Sequence, residues 1–178
     1  MTDDRPSKLL ILSGPVGVGK TTVGHELSGR LAQLAMPHTF VDLDALAQTF
    51  PRPGGDPFGS GLALRNLTAV WSNGRAAGAK ILIVARVVET ADDVAAIERA
   101  VALAPAMICQ LRASEQVLVD RVARREIGAG LARHRKRALE LARSLAASGP
   151  ADVTVETDQR ALADIVDDVL RRSGLVSG

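Results

Sequence analysis

Residues 14–21 read GPVGVGKT, a complete G-x-x-x-x-G-K-T pattern. Its glycines let the backbone wrap closely, so that several N–H groups face one anion. The lysine supplies a point charge for the β- and γ-phosphates, and the threonine hydroxyl is a ligand for Mg²⁺. The pattern therefore predicts a nucleoside triphosphate site with a catalytic Lys20 and a metal ligand in Thr21. Its predicted contacts are Gly14, Pro15, Val16, Gly17, Val18, Gly19, Lys20, Thr21 and Thr22.

The flanking residues suit this interpretation. Residues 9–12 are an apolar run typical of a buried strand, and a helix is predicted from Lys20 because Val23, Leu27, Leu31 and Leu34 recur at helical spacing. The N-terminus of such a helix also favours an anion. A glycine-rich turn without a ligand is the alternative. A dinucleotide-binding G-x-G-x-x-G pattern is excluded, since its third glycine would fall on Thr22.

Two carboxylates follow the second predicted strand, at Asp42 and Asp44. Such a pair is costly unless a positive charge lies between its members, and Mg²⁺ on the phosphates would supply one. The third predicted strand leads into Arg86, where an acid commonly stands in nucleotide-binding proteins. Asp42 and Asp44 are therefore the leading candidates for metal and substrate binding. In the alternative interpretation Asp44 only caps a helical turn over residues 45–50, although a cap and a catalytic role do not exclude each other.

Three arginines share one face of a predicted helix that begins at Ser114. Arg121, Arg124 and Arg125 stand at i, i+3 and i+4, so their charges repel unless a phosphate chain lies among them. Further along, a solvated basic face is the simpler interpretation of residues 136–137.

Candidate residues for a second substrate are fewer. Arg65 follows the Pro- and Gly-rich loop 51–61 and can clamp an anionic acceptor, although a surface arginine explains it equally well. Arg86 stands at the carboxyl end of a strand, where a charged side chain normally faces the ligand. Trp71 either lines this pocket or fills the core.

Strand and helix patterns alternate along the whole chain, which predicts a three-layer α/β fold with a five-stranded parallel sheet. Ligands bind at the carboxyl ends of such strands, so the loops that follow them matter most. The predicted strands are 8–13, 38–42, 79–85, 106–111 and 153–155, and those loops are 13–20, 42–60, 86–90, 112–114 and 156–160. The predicted helices span 20–35, 62–77, 131–147 and 162–170, and two more are capped by Thr90 and Ser114.

The composition is that of a soluble globular protein. The 178 residues are 47% hydrophobic and 24% charged, which suits one domain over residues 1–178. The single cysteine, Cys109, lies in an apolar run and is expected in the core of a protein from a reducing compartment. No segment approaches the ~20 apolar residues of a membrane span, and the polar N-terminus is not a signal peptide. A cytoplasmic protein without a membrane partner is expected.

Nucleic acid is not an expected partner. The net charge is only +2, and nine Lys or Arg residues against four Asp or Glu between positions 112 and 143 form only a local basic patch. This patch lacks interleaved aromatic residues.

The loop GPVGVGKTT, the D-x-D pair and the segment RASEQVLVDRVARRE together resemble the small-molecule and nucleotide kinase branch of P-loop proteins. This branch includes shikimate kinase, gluconate kinase, adenylylsulfate kinase and nucleoside monophosphate kinases. The resemblance implies ATP and Mg²⁺ as cofactors, Asp42 as a metal ligand, and Asp44 as the residue that binds the acceptor hydroxyl and acts as base. It also implies that Arg121 and Arg125 act on the transferring phosphoryl group beside Arg124, that a short helical lid spans 127–135, and that the acceptor binds near 42–77.

Two functions remain open at this point. The first is a kinase that moves the γ-phosphoryl group of ATP to a small-molecule hydroxyl or phosphate acceptor, working as a monomer or homodimer. The second is an ATP-binding switch or ATPase without such an acceptor, which the missing acid at Arg86 keeps open. A GTPase is disfavoured because no N-K-x-D motif occurs. A metabolite, a nucleotide and an antibiotic are all compatible acceptors.

Overall fold

A computed structural model describes residues 7–125 and 131–176. Strands and helices alternate through these ranges, as the sequence predicts. The strands are β1 (Lys8–Ser13), β2 (His38–Asp42), β3 (Ile81–Ala85), β4 (Met107–Arg112) and β5 (Val153–Glu156). The helices are α1 (Lys20–Gln33), α2 (Ser60–Ala76), α3 (Ala91–Val101), α4 (Glu115–Arg125), α5 (Leu131–Ser148) and α6 (Leu162–Ser173). None of the helices in the described ranges is long and apolar enough to cross a bilayer.

The five strands form one parallel sheet in the order β2-β3-β1-β4-β5. At the centre, Leu10 pairs with Ile83 on one side and Met107 on the other. Apolar residues run without interruption along β1 and β3 because helices cover both faces of these strands. Since all strands are parallel, their carboxyl ends lie at one edge of the sheet. The predicted α/β fold with a five-stranded parallel sheet is therefore confirmed.

The core forms two layers, one on each face of the sheet. Trp71 lies in the layer beneath α2 and α3 and is only 2% exposed, so it fills the core and does not line a pocket. Cys109 is fully buried in the other layer. Burial raises the pKa of its thiol to about 12, which leaves it protonated and unreactive, as its apolar surroundings predict.

Local structure differs from prediction at two places. The helical turn predicted over 45–50 is a short 3₁₀ helix at Ala45–Ala47. Leu34, expected on the buried face of α1, is 44% exposed because the helix ends at Gln33 and Leu34 already belongs to the turn.

The helix-start signals are confirmed. Thr90 accepts a hydrogen bond from the Asp93 amide and forms a capping box with that residue. Ser114 accepts one from the Val117 amide at 3.5 Å.

The predicted lid, 127–135, is only partly described. Residues 127–130 lie outside the described residues, as do the glycines at 128 and 130. The remainder of the predicted segment, 131–135, forms the first turn of α5.

Candidate active site

The loop between β1 and α1 needs glycine at three positions. Gly14, Gly17 and Gly19 have φ angles of 139°, 85° and 105°, a region that L-amino acids with a side chain rarely adopt. Gly14 is also crowded, because a Cβ there would lie 2.5 Å from the carbonyl oxygen of Leu111 on β4. The glycines thus hold the start of α1 close to the edge of the sheet.

Lys20 is the first residue of α1, and its side chain folds back over the loop. Its Nζ donates to the carbonyl oxygens of Gly14 at 2.9 Å and Pro15 at 3.1 Å. These contacts keep the ammonium group at the loop, where an anion bound by the loop amides would meet it.

Thr21 and Asp42 connect α1 to the end of β2. The Thr21 hydroxyl donates to Asp42 Oδ2 at 2.7 Å, and Asp42 Oδ1 accepts from the Asp44 amide at 3.1 Å. Both carboxylate oxygens of Asp42 are therefore held in position. The contact joins the two residues that the sequence assigns to the metal.

Asp44 forms an ion pair with Arg86 at the end of β3. Arg86 also approaches the Ser60 hydroxyl at 3.5 Å. Asp44 precedes the 3₁₀ helix, but its side chain makes no capping hydrogen bond. The cap alternative therefore does not describe this carboxylate, and the positive charge that the pair of acids needs comes to Asp44 from Arg86.

Two adjoining cavities meet at these side chains. One of about 150 Å³ is lined by Lys20, Thr21, Asp42 and Asp44 together with loop residues. The other, of about 120 Å³, is lined by Arg86, Ser60 and apolar side chains of α2 and α3. Predicted phosphate, metal and acceptor residues thus converge at one edge of the sheet.

A larger cavity of about 320 Å³ lies on the other side of the loop between β1 and α1, called the phosphate loop below because the sequence predicts that it binds phosphate. It is enclosed by that loop, α1, α4 and the turn between β5 and α6. Its lining residues are Gly17, Val18, Gly19, Thr22, Val23, Arg121, Arg124, Thr157, Arg160, Leu162 and Ile165. Its size is at the lower end of ligand pockets, which are ~300–1,000 Å³.

The sequence suggests that Arg121 is repelled by the neighbouring arginines of α4. In the structure, Arg121 instead has hydrogen-bond partners within the protein. Its guanidinium donates to the Val18 carbonyl at 3.0 Å and to the hydroxyl and carbonyl of Thr157 at 3.0 and 3.2 Å. It therefore ties the phosphate loop to the turn after β5. Arg124 is exposed at the cavity. Arg125 ends α4, and its side chain lies outside the described part of the structure.

Arg160 is a cavity residue that motif reasoning missed, although it lies in the loop 156–160 that topology singled out. It donates to the Glu156 and Asp164 carbonyls at 3.0 Å each and to Asp168 Oδ2 at 3.1 Å. Burial raises the pKa of Asp168, but the hydrogen bond from Arg160 and the charges of Arg172 and Arg171 outweigh it, so the net pKa is lowered.

No protein-family model matches this sequence, and no curated protein matches it. Solved structures match its fold. A gluconokinase from Sinorhizobium meliloti 1021 is 20% identical with a TM-score of 0.62, over 95% of this chain and 92% of that one. The tunicamycin resistance protein of Deinococcus radiodurans is 20% identical with a TM-score of 0.66, over 96% and 97%. A shikimate kinase from Bacteroides thetaiotaomicron is 18% identical with a TM-score of 0.60, over 94% and 99%.

The chain has the fold of the P-loop small-molecule kinases. The resemblance drawn from the sequence is thus confirmed for the fold. Identities of 18–20% leave the substrate of this chain open.

The P-loop kinase fold implies a magnesium ion, and the donors at Thr21 and Asp42 suit one. A hydroxyl and a carboxylate are the hard oxygen ligands that Mg²⁺ prefers, and it completes its shell with water and phosphate. The described residues hold no group of three or more His, Cys, Asp or Glu side chains that could bind a metal ion by themselves. The chemistry of this site therefore suits magnesium that arrives with a nucleotide.

Two further arginines lie on the surface. Arg65 is exposed on α2 and does not line any of the three cavities described above, so its role stays a prediction. Arg137 is exposed, as a solvated basic face predicts, and it also forms an ion pair with Glu89 in the loop between β3 and α3.

Proposed function

We propose that this chain is an ATP-dependent phosphotransferase that moves the γ-phosphoryl group of ATP to a small-molecule hydroxyl or phosphate acceptor with Mg²⁺. One observation carries the proposal. The lysine and threonine of the phosphate loop line the same 150 Å³ cavity as Asp42 and Asp44. A cavity with phosphate-binding groups on one wall and carboxylates on the other suits phosphoryl transfer, which depends on positioning and charge neutralisation.

In this proposal the 320 Å³ cavity binds the nucleoside part of ATP. The aliphatic side chains of Leu162 and Ile165 offer a wall for the base, and Thr22 stands at the start of α1 beside the phosphates. Arg121 fixes the distance between the phosphate loop and this wall. Arg124 and Arg125 follow one turn later on α4 and are the proposed contacts to the triphosphate.

The acceptor reacts at Asp44. Its hydroxyl proton passes to the carboxylate as its oxygen forms a bond to the γ-phosphorus. The bond from that phosphorus to the bridging oxygen breaks, and ADP leaves. Lys20 neutralises charge on the β- and γ-phosphate oxygens throughout. Mg²⁺, held by Thr21 and Asp42 with the phosphates, would supply further charge neutralisation there. Arg86 pairs with Oδ1 of Asp44, so the other oxygen of this carboxylate can accept the proton, and an anionic acceptor would compete with Asp44 for Arg86.

An acceptor screen tests the proposal. Purified protein with ATP and Mg²⁺ is assayed for ADP release in the presence of hydroxylated metabolites, nucleotides and antibiotics, and candidate products are examined by ³¹P NMR. A phosphorylated acceptor formed in step with ADP supports the kinase. ADP release at one rate with every compound and with none, yielding only inorganic phosphate, would instead favour an ATPase or nucleotide switch.

A further inference from the structure

The 120 Å³ cavity beside Arg86 is lined mainly by aliphatic side chains. Seven of its side chains are aliphatic and come from the residue after β2, from α2, from the β3–α3 loop and from α3. These are Leu43, Ala63, Leu64, Val87, Val88, Ala96 and Ile97. A ligand in this cavity must therefore carry an aliphatic body, because hydroxyl groups against such a wall would lose their hydrogen bonds to water.

Polar groups at the cavity are few, and one of them is already engaged. Asp93 Oδ2 accepts hydrogen bonds from the amides of Glu89 and Thr90, both at 2.9 Å, and from the Thr90 hydroxyl at 3.0 Å. The guanidinium of Arg86 and the hydroxyl of Ser60 also line the cavity, and an anionic ligand can bind both if it displaces Asp44 from Arg86. This combination suits one anionic group.

The contact between Arg86 and Asp44 sets the spacing of the ligand's own groups. Arg86 lines the 120 Å³ aliphatic cavity, and Asp44 lines the 150 Å³ cavity proposed for phosphoryl transfer. The two side chains form an ion pair. A molecule that offers its anion to Arg86 and its hydroxyl to Asp44 must therefore carry these groups close together. One or two carbon atoms between them satisfy this condition.

We propose that the phosphoryl acceptor is a short aliphatic 2- or 3-hydroxy acid. This inference rests on the proposed kinase function and narrows its substrate class. The acid's carboxylate binds Arg86 and Ser60, its aliphatic chain enters the 120 Å³ cavity, and its hydroxyl faces Asp44. Phosphoryl transfer yields the phosphorylated hydroxy acid and ADP, with the hydroxyl proton on Asp44.

The size of the cavity favours small acceptors. A cavity of ~150 Å³ holds a benzene-sized molecule, whereas pockets for drug-sized ligands are ~300–1,000 Å³. At about 120 Å³ this cavity accommodates a chain of a few carbons. A nucleoside monophosphate is too large for it, and a polyhydroxylated sugar acid finds too few polar partners.

The carboxylate of a hydroxy acid would also affect the ion pair between Asp44 and Arg86. The ion pair engages Oδ1 of Asp44, so a carboxylate that binds Arg86 competes with Asp44 for the guanidinium and releases this oxygen next to the reacting hydroxyl. An uncharged amide of the same shape lacks this effect, so the difference between acid and amide reports directly on Arg86.

Matched acceptors test the inference. Phosphoryl transfer from ATP is measured with 2- and 3-hydroxy acids of four to six carbons, including 3-hydroxybutyrate, and with 3-hydroxybutyramide, gluconate and AMP. We expect transfer to at least one hydroxy acid and a kcat/KM about 10- to 150-fold higher for the acid than for its amide, the worth of a charged hydrogen bond. In Arg86→Gln this preference disappears, whereas in Arg75→Gln, an exposed arginine at the end of α2, it stays.

A second variant tests the cavity itself. Ala96→Leu fills the aliphatic cavity and is expected to raise the KM for the hydroxy acid at least 10-fold while ATP affinity stays unchanged. Ala95→Leu, the neighbouring residue on α3 that does not line this cavity, is the matched control.

The possible outcomes distinguish failure of this inference from failure of the proposed kinase function. Transfer to gluconate or AMP but to none of the short aliphatic hydroxy acids overturns the inference without contradicting the proposed kinase function. An acid-to-amide preference that survives in Arg86→Gln also overturns it. Binding of MgATP without transfer to any hydroxy acid counts against the inference. Failure to bind MgATP at all counts against the proposed function itself.

Discussion

Lys20 is the side chain whose loss has the clearest expected result. It is the only side-chain cation within residues 14–21. Lys20→Ala should abolish phosphoryl transfer and weaken ATP binding, because no other group of the loop neutralises the β- and γ-phosphate oxygens. Turnover and calorimetric titration with MgATP measure the two effects, with the exposed Lys136→Ala as the control. Near-normal turnover in Lys20→Ala would refute the kinase proposal.

Asp42 and Asp44 are close in sequence, but their different contacts predict different losses. Asp44→Asn should leave ATP affinity near that of the wild type while the transfer rate falls by roughly 10²–10⁴, the usual worth of a positioned general base. Asp42→Asn should raise the Mg²⁺ concentration needed for half-maximal rate, because Asp42 holds the Thr21 hydroxyl. Steady-state rates over a Mg²⁺ series separate the two. Identical behaviour of both variants, with only a lower melting temperature, would remove the catalytic role of the pair.

At the residue scale the sequence predicts the phosphate loop well, because its chemistry is local. The three glycines, Lys20 and Thr21 act together within eight consecutive positions. The pairing of Asp44 with Arg86 joins residues 42 positions apart. No spacing rule predicts which of several arginines reaches a given carboxylate across a sheet edge. The sequence favoured Arg86 over Arg65 only through its place at the carboxyl end of a strand.

At the scale of elements, one ion cluster around the half-buried Asp168 connects the turn between β5 and α6 to α6. Asp168 binds Arg160 and also lies within 4 Å of Arg171 and Arg172. Because the pKa of Asp168 is lowered on folding, its contribution to stability is complete above about pH 4 and is lost as pH falls through the lowered pKa.

Asp168→Asn should therefore lower the melting temperature by a few degrees at pH 7, and this loss should become smaller as the pH falls below about 4. It should also raise the KM for ATP, since Arg160 lines the 320 Å³ cavity. Thermal melts from pH 2 to 7 measure the first effect. Asp167→Asn, whose exposed carboxylate lies 3.7 Å from Arg30, is the matched control. A stability loss that is equal at every pH would show that the charge of Asp168 is not the cause.

The ion pair between Arg137 and Glu89 links α5 to the loop after β3, next to the 120 Å³ cavity. Exposed ion pairs contribute only ~0–1 kcal/mol to stability, so Arg137→Ala should fold normally. If the pair positions α5 over the site, kcat/KM for the acceptor should fall by about 3- to 10-fold.

Arg143 offers a control on the same helix, because it also binds a glutamate, Glu115 at the start of α4. Arg143→Ala should match Arg137→Ala in stability and leave acceptor kinetics unchanged. Equal kinetic losses in both variants would mean that α5 packing in general, and not the contact with Glu89, sets the rate.

At the scale of the whole molecule, the parallel sheet explains why distant residues form one site. Every loop that follows a strand emerges at the same edge, so the order of strands was enough to predict which loops matter. The apolar runs of β1 and β3 made the order of strands and helices predictable from the sequence. The contacts of individual side chains were less predictable, because Arg121 on α4 and Arg160 in the loop after β5 bind backbone carbonyls whose positions depend on the complete fold.

The last prediction concerns motion across the molecule when ATP binds. Arg121 already joins Val18 to Thr157, and α4 leads from this contact toward the predicted lid at 127–135. A triphosphate in the loop should attract the arginines of α4 and the start of α5, as closing segments do in enzymes that exclude water from a reactive phosphoryl group. Amide exchange within 127–135 should therefore become slower with a non-hydrolysable ATP analogue and Mg²⁺. Hydrogen exchange with mass spectrometry measures this, with α3 as the internal reference, because it lines none of the nucleotide cavity. Unchanged exchange in 127–135 alongside slower exchange in the phosphate loop would show that ATP binds and no lid closes.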